Sequence, residues 1–139
     1  MSVDIKISNR PISYKYAINF LERRVEGIKD KKKNDLFWIL EHPTTYTAGA
    51  RYQKKEILDK SINVVKTNRG GKITMHNPGQ KVIYFAINLN QKEKNIRKLI
   101  SDIEKSIISF LKLYQIDSYA DKKNIGIWVK GKKIAAIGI

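Results

Sequence analysis

The sequence predicts an α+β (α/β) domain built on a mixed, largely antiparallel sheet flanked by helices. Three observations predict it. Two long segments carry apolar residues at three-to-four spacing, the mark of amphipathic helices. Short runs rich in branched and aromatic residues adjoin one another as hairpin-like neighbours more often than they alternate regularly with helices. A loop from Arg69 to Gln80, holding three glycines, a proline, an arginine and a histidine, separates two of those runs.

Each element follows from local chemistry. Val3 to Ser8 alternates as a short strand. Pro11 opens a helix whose apolar face is Tyr14, Ala17, Ile18, Leu21, Val25 and Ile28. Asp30 to Asn34 is a charged turn, and Leu36 to Leu40 is a buried strand ended by His42-Pro43, since proline cannot donate to a ladder. A loop with Tyr46, Gly49 and Arg51 follows, then a helical turn around Lys55 to Leu58. Asn63 to Thr67 is the strand entering the glycine loop and Lys81 to Leu89 the strand leaving it. Asn95 to Tyr114 is the second long helix, with Ile96, Leu99, Ile100, Ile103, Ile107, Phe110, Leu111 and Tyr114 on one side. Ile125 to Val129 and Lys133 to Ile139 pair around a Lys130-Gly131 turn. An apolar strand running to the last residue leaves an edge unprotected. The expectation is therefore one domain over residues 1–139, incomplete at its C-terminus.

The 139 residues, 42% of them hydrophobic, suffice for a single packed core. No apolar run nears the roughly 20 residues that cross a bilayer. The first residues carry no charged segment followed by an apolar one, so the reading is cytoplasmic, with no membrane partner. There is no cysteine, hence no disulfide and no thiolate metal site in these residues. Two histidines far apart make no metal motif, so neither a metal nor another cofactor is expected. The formal charge of +15 would suit nucleic acid. Yet of the 28 basic residues 22 are lysine, beside 22 isoleucines and 10 asparagines, a combination that compositional drift produces unaided. The lysines are scattered and no aromatic residues interleave them as a stacking platform, so no nucleic-acid partner is expected. A positive field would still speed encounter with acidic proteins.

Three segments could carry chemistry. In the glycine loop, Arg69 offers a planar fork for a carboxylate or phosphate, Gly70-Gly71 lets backbone approach a ligand, and His76 titrates near neutrality. The spacing is neither a Walker loop nor a dinucleotide fingerprint. The plainer reading is a long hairpin loop with turn glycines and a surface histidine. The second segment, Glu41 to Gly49, lies at a strand end, where ligand sites often sit. The third is Gly131 to Gly138, where a lysine enters a strand of small apolar residues. Lys132 and Lys133 point to opposite faces of a strand, so one is solvated and the other faces the interior or a pocket, unless both snorkel to water.

Taken together, these segments resemble the lipoyl(octanoyl) transferase family. The matching residues are Leu40-Glu41-His42-Pro43 with Thr45-Tyr46-Thr47 and Gly49; Thr67 to Gly71 through Thr74, His76, Pro78, Gly79 and Gln80; and Gly126 to Val129 with Gly131 and Lys133 to Gly138. The resemblance covers essentially the whole chain. It implies a fold like the catalytic domain of lipoate and biotin protein ligases. It also implies a reaction: octanoyl moves from octanoyl-acyl carrier protein to a lipoyl-domain lysine, through a cysteine acyl-thioester. The acceptors implied are lipoyl domains of 2-oxoacid dehydrogenase complexes and the glycine cleavage H protein. Arg69, Gly70, Gly71, Lys72, Ile73, Thr74, Met75 and His76 would then bind substrate, with Ala136, Ile137 and Gly138 as a second wall. Lys133 would lower the pKa of the catalytic cysteine.

Two departures stand out. Met75 replaces the family's usual tyrosine, and Asn77 its usual glycine, although Asn tolerates positive φ better than most residues. The family's cysteine lies beyond residue 139, so the chain as given is expected to be inactive alone. The alternatives are a non-catalytic remnant that binds acyl groups or carrier protein, and an adenylating lipoate-ligase-like enzyme, which needs no cysteine.

Overall fold

Trp38 anchors the first part of the molecule. The computed structural model describes residues 2–91 and 94–138, and the chain falls into two units, Met1–Asn88 and Leu89–Ile139. In the first, β2 (Asp35–Leu40) is the centre of a three-stranded sheet, parallel to β1 (Val3–Ile7) and antiparallel to β6 (Val82–Ala86). Leu36, Trp38 and Leu40 alternate onto one face and are fully buried. Helix α1 (Tyr14–Lys29) lies on that face, contributing Ala17, Phe20, Leu21 and Ile28 to the same cluster. Phe20 meets Trp38 at 4.8 Å between ring centroids, and the Trp38 indole N–H donates to Ser8 Oγ at 2.9 Å. Burying side chains of this size contributes about 1.5–3 kcal/mol each.

The helix begins later than Pro11. The Ile12 N–H is taken by the Glu41 carbonyl at 2.8 Å, and Ser13 caps the first turn by accepting from the Tyr16 N–H. It ends at Lys29, where Lys31 takes a left-handed φ of 59°.

The second sheet of this unit runs β4 (Val64–Lys66), β3 (Thr45–Ala48), β5 (Ile73–His76), with β3 parallel to β4 and antiparallel to β5. Two of these strands correct the sequence reading. The sequence reads Thr45–Ala48 and Ile73–His76 as loop, but their registers, Thr45 opposite His76 through Ala48 opposite Ile73, make a regular ladder. The helical turn is a 3₁₀ turn at Lys54–Glu56, and the strand leaving the glycine loop stops at Ala86.

In the second unit, α2 (Ile96–Lys112) is capped by Asn95, whose side chain accepts from the Lys98 N–H at 2.9 Å. A sheet of β7 (Tyr119–Ala120), β8 (Ile127–Val129) and β9 (Lys132–Ala135) follows, antiparallel throughout. The β8–β9 hairpin turns on Lys130 (φ 47°) and Gly131 (φ 75°), the two left-handed positions of a type I′ turn. β9 ends at Ala135, short of the expected strand to Ile139, which lies outside the described residues. Across both units four of six strand pairs are antiparallel, so the fold is the α+β class the sequence predicts. Among the described residues no helix is long and apolar enough to cross a membrane.

Candidate functional site

The glycine loop is held by its own carbonyl groups. The Gly49 N–H donates to the Lys72 carbonyl at 2.9 Å, Ala50 N–H to that of Arg69 at 2.9 Å, and Arg51 N–H to that of Gly71 at 3.0 Å. The Arg69 guanidinium completes the clamp. Its Nη1 donates to the Gly70 carbonyl (2.8 Å), and its Nη2 to the Thr47 carbonyl (3.0 Å), Thr47 Oγ1 (2.8 Å) and the Lys72 carbonyl (3.0 Å). Arg69 therefore spends its fork on the loop, whereas the sequence suggested a fork offered to a ligand. Lys72 is committed too, paired with Glu56, whose carboxyl is held below the usual range first by that ammonium and then by the Gln53 N–H.

Gly49 and Gly71 make the close approach possible. A Cβ on Gly49 would stand 2.6 Å from the Gly71 carbonyl oxygen and 2.7 Å from that of Gly70, while Gly71 takes a left-handed φ of 85°. Among the described residues the Gly70 and Gly71 N–H groups meet no hydrogen-bond acceptor. Carbonyls face the clamp, and N–H groups are left over.

Beyond β5 the chain reverses through Asn77-Pro78-Gly79-Gln80. Proline at the second position, φ 88° at Gly79 and the Gln80 N–H to Asn77 carbonyl bond of 3.1 Å make a type II turn. The left-handed residue is Gly79, so Asn77 needs no positive φ there, and the departure at that position is harmless. Glu41 fixes this turn by accepting from the Gly79 N–H at 2.8 Å and pairing with Lys81 at 2.7 Å. Met75 is exposed at 45%. A small cleft in this unit, about 200 Å³ of empty space, is lined by Ser8, Asn9, Arg10, Pro11, Glu41 and Lys81 rather than by the diglycine.

His76 belongs to an aromatic cluster that no sequence motif announces. It stacks on Tyr14 at 6.0 Å and meets His42 edge-on at 5.5 Å; His42 in turn touches Tyr14 at 5.3 Å and Tyr84 at 5.8 Å. His42 is fully buried. Its Nδ1 lies 2.6 Å from the Ile12 carbonyl, which can only accept, so Nδ1 carries the proton and Nε2 accepts from the Tyr84 hydroxyl at 2.8 Å. Burial lowers the pKa of His42 and of His76 and raises that of Tyr84 and Tyr14. The cluster is thus neutral. His76 Nδ1 lies 3.0 Å from Gln80 Oε1, which fixes the ring in the same tautomer.

The remaining predicted residues lie in the second unit. Lys133, on β9, donates from Nζ to the Ile125 carbonyl at 3.1 Å and lies 5.0 Å from the centroid of the Trp128 ring. Lys132 and Lys133 are both exposed, so the strand's alternation buries neither lysine and the reading with both side chains reaching water is the one that holds. Ala136, Ile137 and Gly138 follow the strand; Ile137 is half-buried, and a Cβ on Gly138 would meet nothing within 4 Å. The structure brings Arg69 to His76 together in one unit and Lys133 to Gly138 in the other.

Comparison with known proteins gives the family. Residues 13–139 match the lipoyl protein ligase A/B catalytic domain family. The octanoyltransferase of Ehrlichia canis (strain Jake) is 41% identical over 143 residues, covering 99% of this chain and 67% of that protein. The octanoyltransferase of Wolbachia pipientis wMel is 41% identical over 138 residues, 96% of this chain and 67% of that protein. That of Anaplasma marginale (strain Florida) is 37% identical over 143 residues, with 99% and 67% covered. The solved structure of P. falciparum LipL1 in complex with lipoate is similar at a TM-score of 0.61 and 15% identity, over 95% of this chain and 42% of that one. That likeness gives the fold: the lipoate-ligase type of catalytic domain.

Proposed function

The chain belongs to the lipoyl protein ligase A/B catalytic domain family, whose relatives at 37–41% identity are octanoyltransferases, and on that premise we propose that it serves octanoyl transfer in protein lipoylation. The donor is octanoyl-acyl carrier protein. The acceptor is the lysine of a lipoyl domain, of the kind found in 2-oxoacid dehydrogenase complexes and in the glycine cleavage H protein. The observation that carries this reading is the identity to octanoyltransferases across 96–99% of the chain. The family match spans residues of both units, which supports taking 1–139 as part of one catalytic domain.

In this reading Arg69 to His76 receive the acyl thioester. Two unclaimed N–H groups, on Gly70 and Gly71, are suited to polarise a thioester carbonyl. Ala136, Ile137 and Gly138 are small or apolar, as a wall against an aliphatic chain requires. Lys133 supplies the cation that holds a cysteine as thiolate. That thiolate attacks the donor carbonyl, the carrier's thiolate departs, and the acceptor amine then displaces the cysteine to form the amide, releasing one proton. These 139 residues contain no cysteine, so the polypeptide by itself forms no acyl-cysteine. The excess of basic residues suits acidic carrier and lipoyl domains.

The test is incubation of the 139-residue polypeptide with octanoyl-acyl carrier protein and a lipoyl domain, read by intact-mass spectrometry and by binding. Saturable binding of the octanoylated carrier, weakened by salt, with no octanoylated acceptor is the expected result. Octanoylation of the acceptor by this polypeptide alone would overturn the thiol-dependent step. Failure to bind the octanoylated carrier in low salt would remove the function.

A further inference from the structure

Lys133 does not extend freely from its strand. The register of the β8–β9 pair shifts between Ile127 and Trp128, so that Ile127 faces Ala135 while Trp128 faces Lys133, leaving Ile134 as the extra residue of a bulge. Directly opposed residues share a face of the sheet, which brings the lysine side chain onto the indole. Its Nζ lies 5.0 Å from the ring centroid, within reach of a cation–π contact, and donates to the Ile125 carbonyl at 3.1 Å. Its aliphatic stem lies beside Gly126. A Cβ there would stand 3.2 Å from both Cδ and Cε of Lys133, and 2.5 Å from the Ala135 carbonyl oxygen.

The indole is itself fixed. Its N–H donates to the Asn124 carbonyl at 3.0 Å. Asn124 sits in a turn organised by the Asp121 carboxylate, which accepts from the Lys123 N–H at 2.7 Å, the Asn124 N–H at 3.2 Å and the Asn124 side-chain amide at 3.4 Å. A continuous chain of contacts thus runs from Asp121 through Asn124 and Trp128 to Lys133.

We propose that Trp128 is a positioning residue for Lys133: its ring face, the Ile125 carbonyl and the bare backbone at Gly126 form a seat that fixes the direction of the ammonium. An ammonium has three N–H donors. The Ile125 carbonyl takes one and the indole face neutralises no charge; the Asp121 carboxylate, held low first by the Lys123 N–H, also feels the ammonium, and two donors remain for an anion. The role assigned to the seat rests on the reading of Lys133 as the cation beside a thiolate, but its geometry is testable without turnover.

The experiment is NMR of the full 139-residue chain, with the Lys133 side-chain signals assigned through K133R. Protons held over an indole face shift upfield by ring current, so the wild-type δ- and ε-methylene signals should lie upfield of those of Lys132. W128L should return them to the position of an ordinary solvated lysine, and W128F should keep part of the displacement. A stability effect alone would not produce that split. In parallel, limited acetylation should modify Lys133 about two- to fivefold more slowly than Lys132, the factor expected of one exposed cation–π contact, and W128L should erase the difference. If W128L unfolds the hairpin, the wild-type and W128F spectra still decide. Lys133 methylenes at ordinary shifts in the wild type, or unmoved in folded W128L, would overturn the proposal while leaving octanoyl transfer standing. Loss of carrier binding would sink the transfer reading without touching these signals.

Discussion

Gly49→Ala probes the clamp around the diglycine, because one methyl group is aimed at its centre. Gly49 is not a left-handed position, so the substitution costs nothing in backbone conformation. Its cost is collision. The new Cβ would stand 2.6 Å and 2.7 Å from the Gly71 and Gly70 carbonyl oxygens and 2.8 Å from Arg69 Nη1. Ordinary contact begins near 3.4 Å, so the two carbonyls must retreat by about 0.7–0.8 Å. The Gly71 carbonyl accepts from the Arg51 N–H at 3.0 Å and the Gly70 carbonyl from Arg69 Nη1 at 2.8 Å; stretched by that amount, these bonds reach or pass the limit of hydrogen-bond range. Losing both removes about 2 kcal/mol, and overpacking adds about 1–3 kcal/mol. Reduced entropy of the unfolded chain returns about 0.4–1 kcal/mol. The net destabilisation is about 2–4 kcal/mol, or a fall in Tm of about 8–15 °C for a chain of this length. Gly131→Ala is the control: φ is left-handed but nothing lies within 4 Å, so only a conformational cost of about 1–2 kcal/mol applies. Thermal and urea unfolding measure both variants, and the Gly70 and Gly71 amide resonances report the loop. A G49A protein that melts with the wild type, with those two amides unmoved, would refute the clamp.

Two further outcomes follow from the same geometry. Arg69→Lys should destabilise by about 2–4 kcal/mol in urea titration, since a point ammonium cannot serve four acceptors set out for a fork; a change below about 0.5 kcal/mol would mean the guanidinium is free for other work. Acid should weaken the fold in two stages. Burial lowers the pKa of His42 and His76, so their contribution is complete above the unfolded histidine value of about 6.5 and is lost as pH falls through it toward the folded values. The carboxylates of Glu41 and Glu56, held low by Lys81 and Lys72 respectively, withdraw their support only further down, below the unfolded carboxylate range. Urea midpoints should therefore decline between pH 7.5 and 5.5 before any carboxylate protonates, and a flat profile there would contradict neutral buried histidines.

The elements with a strong period were legible. α1, α2, β2 and β6 follow from apolar spacing, and Lys130-Gly131 announces the last hairpin. β3 and β5 were not, for a physical reason. Thr45-Tyr46-Thr47-Ala48 and Ile73-Thr74-Met75-His76 are four-residue strands whose buried face includes a threonine, Thr47, rather than a row of large apolar groups. Their stability comes from pairing with each other and with Arg69, which is invisible without partners. The cluster of Tyr14, His42, His76 and Tyr84 escaped for a similar reason: one member comes from each of four separate segments, and a buried neutral histidine leaves no pattern in sequence. A clue to the role of Arg69 was available. A diglycine loop outside any ladder still has carbonyls that must find donors, and the nearest arginine is the obvious source.

That role of Arg69 bears on which acyl donor the loop suits. A free carboxylate entering the diglycine segment would require a cation to balance its charge. Arg69 could supply one only by abandoning the Gly70, Thr47 and Lys72 carbonyls and the Thr47 hydroxyl, and each buried carbonyl left unpaired costs about 1–3 kcal/mol. Lys72 would have to leave Glu56. The neighbouring histidines are held neutral by burial and offer no charge near pH 7. A thioester makes no such demand. It is uncharged until attacked, and it needs N–H donors aimed at its carbonyl rather than a counter-ion, which the unclaimed Gly70 and Gly71 N–H groups can provide. On the proposed reading that this loop receives the acyl group, the commitment of its own cations therefore suits an activated thioester better than a free acid, and acyl transfer better than a ligase reaction that begins from a carboxylate.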